Sequence, residues 1–211
     1  MTDLAVLSAR NAERWRAAKI TRGPEFQQVA TRLLSGRKIY EAISSKTGVP
    51  WRVIAVIHER EAGKDLTFSK NIAQGDPWNR KSTHVPAGRG PFNSFEEAAY
   101  DALVRCAPYA ASNKDWSIGG TLTLLERYNG LGYANKGLPS PYVWSGTNQY
   151  EKGKYIADGV FDPNAVDQQL GCAGLLLAMG AFATAPVVKT FWQELIEAIV
   201  SIFTQLFGRK K

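Results

Sequence analysis

Two glutamates separated by one arginine close an aliphatic run in the stretch "VIAVIHEREAG", residues 53–63. A carboxyl group serves as an acid near neutrality only when its surroundings raise its pKa, and burial among aliphatic side chains does that. On a helix over 51–62, Ile54, Ile57 and Glu61 stand at i, i+3 and i+7 on one face. That face is aliphatic and packs inward, so Glu61 falls at its inner end and is the candidate general acid. Glu59 lies about 200° of rotation from Ile57 and is expected on the solvated side. The plain alternative for Glu61 is an ion pair with an arginine at a helix end. His58 and Glu59 also begin a zinc-peptidase motif, but position 62 is alanine where the second histidine is required. The other histidine is His84 and the two cysteines are not at ligand spacing, so neither a metal nor another cofactor is expected.

The elements that would hold this segment are mostly helical. Residues 2–20 and 25–35 read as helices, the first with Leu4, Leu7, Ala12 and Trp15 at helical spacing. "KIYEAISSKTG" ends at Gly48, a C-cap position, and the next helix starts at Pro50 and stops at Gly63. Residues 64–94 are rich in Gly, Pro, Asn, Ser and Thr; so long a loop inside a domain is usually functional. A short β-hairpin is expected there, around "THVPAGRG". Ser94 with Glu97 makes a capping box that opens a helix, and "SIGGTLTLLERYNGLGY" is a helix ending at its glycines. Residues 130–165 form a second loop-rich segment, and "VDQQLGCAGLLLAMGAF" reads as a buried helix closing a domain over 1–185.

After Pro186, Val188, Trp192, Leu195, Ile199, Ile202 and Leu206 fall on one stripe. Residues 186–211 are therefore expected to form an amphipathic helix, packed on the domain or on a second copy. With its basic end, Arg209-Lys210-Lys211, the alternative is a helix over 187–211 lying on an anionic membrane or outer-membrane surface.

Composition narrows the class. The chain has 211 residues, 45% hydrophobic and 21% charged, with a formal charge of +7. That is ordinary globular composition with an attraction to polyanions. The basic residues are dispersed and no zinc-finger or RNA-binding signature is present, so nucleic acid is not the expected partner. Cys106 and Cys172 read as two buried free thiols. The N-terminus lacks the uninterrupted apolar stretch of a signal peptide, which predicts synthesis in a host cytoplasm and export by another route.

"ISSKTGVPWRVIAVIHEREAG" resembles the pattern of soluble lytic transglycosylases and goose-type lysozymes, in which a Gly-Val-Pro turn leads into an aliphatic helix ending in the catalytic glutamate. "LLERYNGLGY" is similar to the Tyr-Asn-Gly/Ala segment that lines the sugar cleft there. "QGDPW", "THVPAGRGP" and "SPYVWSGTNQYEKGKY" look closer still to prophage-associated lysozyme-family proteins of proteobacteria, which act as endolysins. The resemblance covers about residues 38–180. It departs from the usual transglycosylases at Ala62, where they carry serine, and in the long 64–94 segment. It implies a mainly α, lysozyme-like α+β fold, with helices around a glycan cleft and at most a small β-hairpin.

Glycosidic cleavage generally uses two carboxyl groups. Glu61 matches the family's acid; Asp65 and Asp76 are loop candidates for the second, with Asp76 the stronger because Gly75 and Pro77 fix a turn around it. Its alternative use is to bond its own turn. Thr83 is a candidate for positioning a water. Trp78, Tyr128, Tyr142 and Trp144 are candidate sugar-stacking aromatics, together with Tyr133, Tyr150 and Tyr155. Asn129 and Gln149, with Asn148, offer amides to the sugar, while Glu126 either faces the cleft or makes a structural hydrogen bond. The expected function is cleavage of peptidoglycan glycan strands by an endolysin-type muramidase, bacteriolytic in the periplasm and cell wall. The alternatives are a lytic transglycosylase leaving 1,6-anhydro ends and a non-catalytic wall-binding protein.

Overall fold

The structure is a computed structural model that describes residues 2–63, 65 and 67–181. In chain order the helices are α1 (Leu4–Ala17), α2 (Gly23–Ser35), α3 (Arg37–Thr47), α4 (Trp51–Ala62), α5 (Phe95–Arg105) and α6 (Ile118–Tyr128). Then come the short α7 (Gly132–Asn135) and α8 (Pro141–Trp144), strands β1 (Lys154–Ala157) and β2 (Val160–Asp162), and α9 (Cys172–Ala178). The chain is thus mainly helical, with one two-stranded antiparallel sheet among the described residues. The expected amphipathic helix over 186–211, and with it the boundary at 185, lies outside the described residues.

Helix α4 is the axis. Gly48 terminates α3 in a left-handed conformation at φ 73°, and its N–H bonds the Ser44 carbonyl at 2.8 Å. Pro50 then serves as the N-cap of α4. α2, α3 and α9 pack against α4, and every residue from Val53 to Glu59 is buried. Burying each large aliphatic side chain contributes roughly 1.5–3 kcal/mol. The helix therefore has no solvated side near its middle, and Glu59, expected in solvent, is only 8% exposed. It is ion-paired with Arg32 of α2, which is how a carboxylate survives there.

The last turn of α4 is satisfied from distant segments. Gln169 Nε2 donates to the carbonyls of Glu59 and Arg60 at 3.2 and 2.7 Å, and Lys70 Nζ donates to that of Ala62 at 3.1 Å. Gly75, at φ +76°, lies so close that an added Cβ would stand 2.4 Å from the Glu61 carbonyl oxygen. The 64–94 segment is thus seated on the helix end that carries Glu61.

No strands form around "THVPAGRG". That stretch closes through single backbone bonds, Ser82 N–H to the Arg89 carbonyl at 2.9 Å and Gly88 N–H to the Ser82 carbonyl at 2.8 Å. The hairpin lies instead at 154–162, where Asp158-Gly159 makes the turn and Gly159 takes φ +72°. Tyr133, Tyr155 and Phe161 pack edge to face, with Tyr133–Tyr155 centroids 5.1 Å apart, and fasten the hairpin to α7. Ser94 caps α5 as expected: its Oγ accepts from Glu97 N–H at 3.2 Å, while the Glu97 carboxylate reaches back to Asn93 N–H at 2.9 Å. The predicted closing helix is shorter than "VDQQLGCAGLLLAMGAF", because α9 begins only at Cys172.

Candidate active site

Glu61 sits in the final turn of α4, half-buried. The Tyr142 hydroxyl, carried by α8, donates to Glu61 Oε1 at 2.8 Å. Burial raises the carboxyl to about 7, against the opposing pull of the Tyr142 hydrogen bond and the Arg60 charge. The elevated acid expected from the aliphatic stripe is therefore present at neutral pH as a mixture of protonated and ionised forms. Tyr128, at the end of α6, has its hydroxyl buried without a partner, and burial with the neighbouring Glu61 carboxyl raises its pKa. Two tyrosines from different helices thus border one acid.

A cleft of about 470 Å³ opens beside this group. Its wall includes Tyr142, Arg60, Asn129, Asp167 and Lys154, with the 155–159 hairpin as a lip. Glu61 is not itself on that wall; Tyr142 joins the two. Within the cleft the Arg60 guanidinium lies 4.5 Å from the centroid of the Tyr142 ring. Arg60 Nη2 donates to Asp167 Oδ2 at 3.2 Å, and Lys154 Nζ to Asp167 Oδ1 at 2.9 Å. Although burial opposes ionisation of Asp167, these two cations hold its pKa below the ordinary value.

Asp76 is in a contrasting state. Its Oδ2 accepts from the N–H groups of Thr83 and His84 at 2.7 and 3.0 Å, and its Oδ1 lies 2.7 Å from His84 Nδ1. These bonds, that from the His84 backbone foremost, lower its pKa to about 2. This is the turn-bonding use of an aspartate: both oxygens are committed to the loop and the group is a weak base. Thr83 is an exposed donor to that same carboxylate. Asp65 is similarly engaged, accepting from Lys70 N–H at 2.8 Å and Ser69 Oγ at 3.0 Å, with His58 Nε2 at 3.3 Å.

The remaining candidates divide by place. Asn129 and Tyr142 line the cleft, as do Tyr133 and Tyr155. Trp144 is 0% exposed and belongs to the core, so it cannot stack on a sugar. Trp78 packs against the core and donates from Nε1 to the Phe68 carbonyl at 2.7 Å, pinning the 64–94 loop. Gln149 donates to Asn148 at 3.3 Å, and Asn148 is bonded to Lys19 and Ala17, which places the pair against the N-terminal segment rather than in the cleft. Tyr150 bonds backbone at both ends of the hairpin segment. Glu126 is 1% exposed and faces α1. Burial raises its pKa to about 7 beside Asn11 and Arg14.

Arg60, Asp167, Lys154 and Gln169 escaped the sequence reading, because each acquires its role from a partner more than ten residues away or from the cleft itself. The Asp158-Gly159 pair flanked by Tyr155, Ile156, Val160 and Phe161 was the available signal for the lip. Among the described residues, no three or more His, Cys, Asp or Glu side chains gather as a metal site. No family model, curated protein or solved structure matches the chain, so the chemistry of the cleft is read from its own residues.

Proposed function

We propose that this protein cleaves the glycan strands of peptidoglycan at the β-1,4 bond following N-acetylmuramic acid, with Glu61 as the general acid. The observation that carries the reading is Glu61 itself: a half-buried carboxyl raised to about 7 and bonded by Tyr142, whose ring forms part of the wall of a cleft of about 470 Å³. A cleft of that size takes a few sugar rings, with Tyr155 and Asn129 on its walls to meet them. The protonated carboxyl gives its proton to the glycosidic oxygen as the bond from that oxygen to the anomeric carbon breaks. Water then attacks the anomeric carbon and returns a proton to the Glu61 carboxylate, giving a reducing end. The dispersed net charge of +7 suits approach to an anionic envelope. The residues 187–211 add a proposed hold on an anionic membrane surface, and action in the periplasm and cell wall completes the endolysin reading.

One observation favours a second outcome within the same reading. Asp76, the expected second group, is spent on Thr83 and His84 and held at about 2. With Glu61 acting alone, the 6-hydroxyl of the muramic acid residue attacks its own anomeric carbon. Its proton goes to the Glu61 carboxylate, and the product carries a 1,6-anhydro end. Mass spectrometry of the soluble products from isolated peptidoglycan decides between them, with Glu61→Gln and Glu59→Gln alongside. Reducing or anhydro ends lost only in the Glu61 variant are expected. Absence of glycan products from the native protein defeats the enzyme reading.

A further inference from the structure

Arg60 and Glu61 are neighbours on the last turn of α4, and the Arg60 charge is felt by the Glu61 carboxyl as a pull toward its ionised form. Glu61 nonetheless takes its hydrogen bond from Tyr142. Arg60, whose side chain is only 6% exposed, spends itself elsewhere: Nη2 on Asp167 at 3.2 Å, Nη1 on the Leu170 carbonyl at 3.2 Å, and its face on the Tyr142 ring. Asp167 is itself held from several sides. Its N–H donates to Tyr150 Oη at 3.0 Å, its carbonyl accepts from Ser145 Oγ at 2.8 Å, and Lys154 occupies its other carboxylate oxygen.

We propose that Asp167 is a positioning residue for Glu61: it anchors the Arg60 guanidinium over the Tyr142 ring and so keeps that cation from pairing with the acid beside it. The inference rests on the reading of Glu61 as general acid and extends it to the residue that preserves the proton. Among the described residues, the other titratable groups facing Glu61 are Tyr142 on α8, Tyr128 on α6 and Cys172 on α9. Burial raises all three, Cys172 to about 12, so they stay neutral near pH 7. Arg60 is then the charged neighbour that decides whether Glu61 keeps its proton. A free guanidinium within about 4–6 Å would draw the carboxyl into its ionised form.

The test is a ¹³C NMR titration of the Glu61 carboxyl in the full chain, native and as Asp167→Asn, Arg60→Gln and the double variant. Asp167→Asn is expected to lower the Glu61 midpoint by about one to three pH units, and the alkaline limb of peptidoglycan cleavage should follow it. In the Arg60→Gln background the same substitution should change little, because the cation it releases is gone. An unchanged midpoint in Asp167→Asn overturns the proposal. So does an equal drop with and without Arg60, which would make Asp167 a simple through-space charge. Asp167→Ser carries the same expectations should the asparagine variant not fold. A native midpoint in the ordinary carboxylate range removes both the positioning role and the acid. A high midpoint that responds to Asp167, in a protein that releases no glycan products, leaves the positioning intact and defeats the enzyme reading alone.

Discussion

Glu61 and Asp76 are carried by segments that touch, since Gly75 is pressed on the Glu61 carbonyl, yet the two carboxyls are treated in opposite ways. Asp76 is surrounded by donors and sits at about 2; Glu61 has one hydroxyl and sits at about 7. A carboxyl that receives every hydrogen bond it can accept stabilises the fold and has little basicity left for chemistry. One that is buried with too few donors costs stability and retains a proton it can give away.

The sharpest way to break this comparison is to remove the acid. Glu61→Gln should reduce glycan cleavage by about 10²–10⁴-fold, the range for a general acid, as read from product release. It should also stabilise the protein at pH 8. A group raised above its unfolded value contributes stability that is fully present below the unfolded pKa and lost as pH rises through the folded one. For Glu61 that window runs from 4.5 to about 7, and the gain on substitution is on the order of 2–3 kcal/mol. Thermal melts at pH 5 and pH 8 check it. A variant no more stable than native at pH 8 would mean the native acid carries no strain.

Glu59→Gln separates the neighbouring glutamate from chemistry. It leaves Arg32 half-buried without its carboxylate and should destabilise by about 3 kcal/mol, the low end for a broken buried pair, with cleavage per folded molecule retained. Asp76→Asn should cost about 2 kcal/mol through its lost charged hydrogen bonds. The native contribution of Asp76 is present above its ordinary value of 3.8 and lost as pH falls through about 2, so denaturant melts of the pair should converge in strong acid. Tyr142→Phe has the smallest expected effect: about a tenfold lower rate, and an alkaline limb moved upward because the hydrogen bond that lowers the Glu61 pKa is gone.

Helix ends were largely legible in the sequence. Gly48, Pro50, Gly63 and Ser94 act locally, and the structure uses each as its type suggests. The inner face of α4 was legible too, since Ile54, Ile57 and Glu61 share a helical spacing that needs no knowledge of partners. Glu59 was misplaced because a helical wheel assumes one solvated side, and α4 is wrapped by α2, α3 and α9. Trp144 was misread as loop because α8 is a single turn within a glycine-rich stretch. Arg60 and Asp167 stand 107 positions apart, and no local pattern couples them.

That wrapping has a consequence for synthesis. α4 lies in the first third of the chain, while α9, which packs on it, follows more than a hundred residues later. Tyr142, which bonds Glu61, and Asp167 and Gln169, which bond Arg60 beside it, also come from the late part. A chain emerging from the ribosome cannot enclose α4 until about residue 178 has been released, so its aliphatic face waits exposed through most of translation. The raised acid exists only once that closure is made. Translation stalled before α9 should therefore yield chains in which Glu61 titrates as an ordinary glutamate.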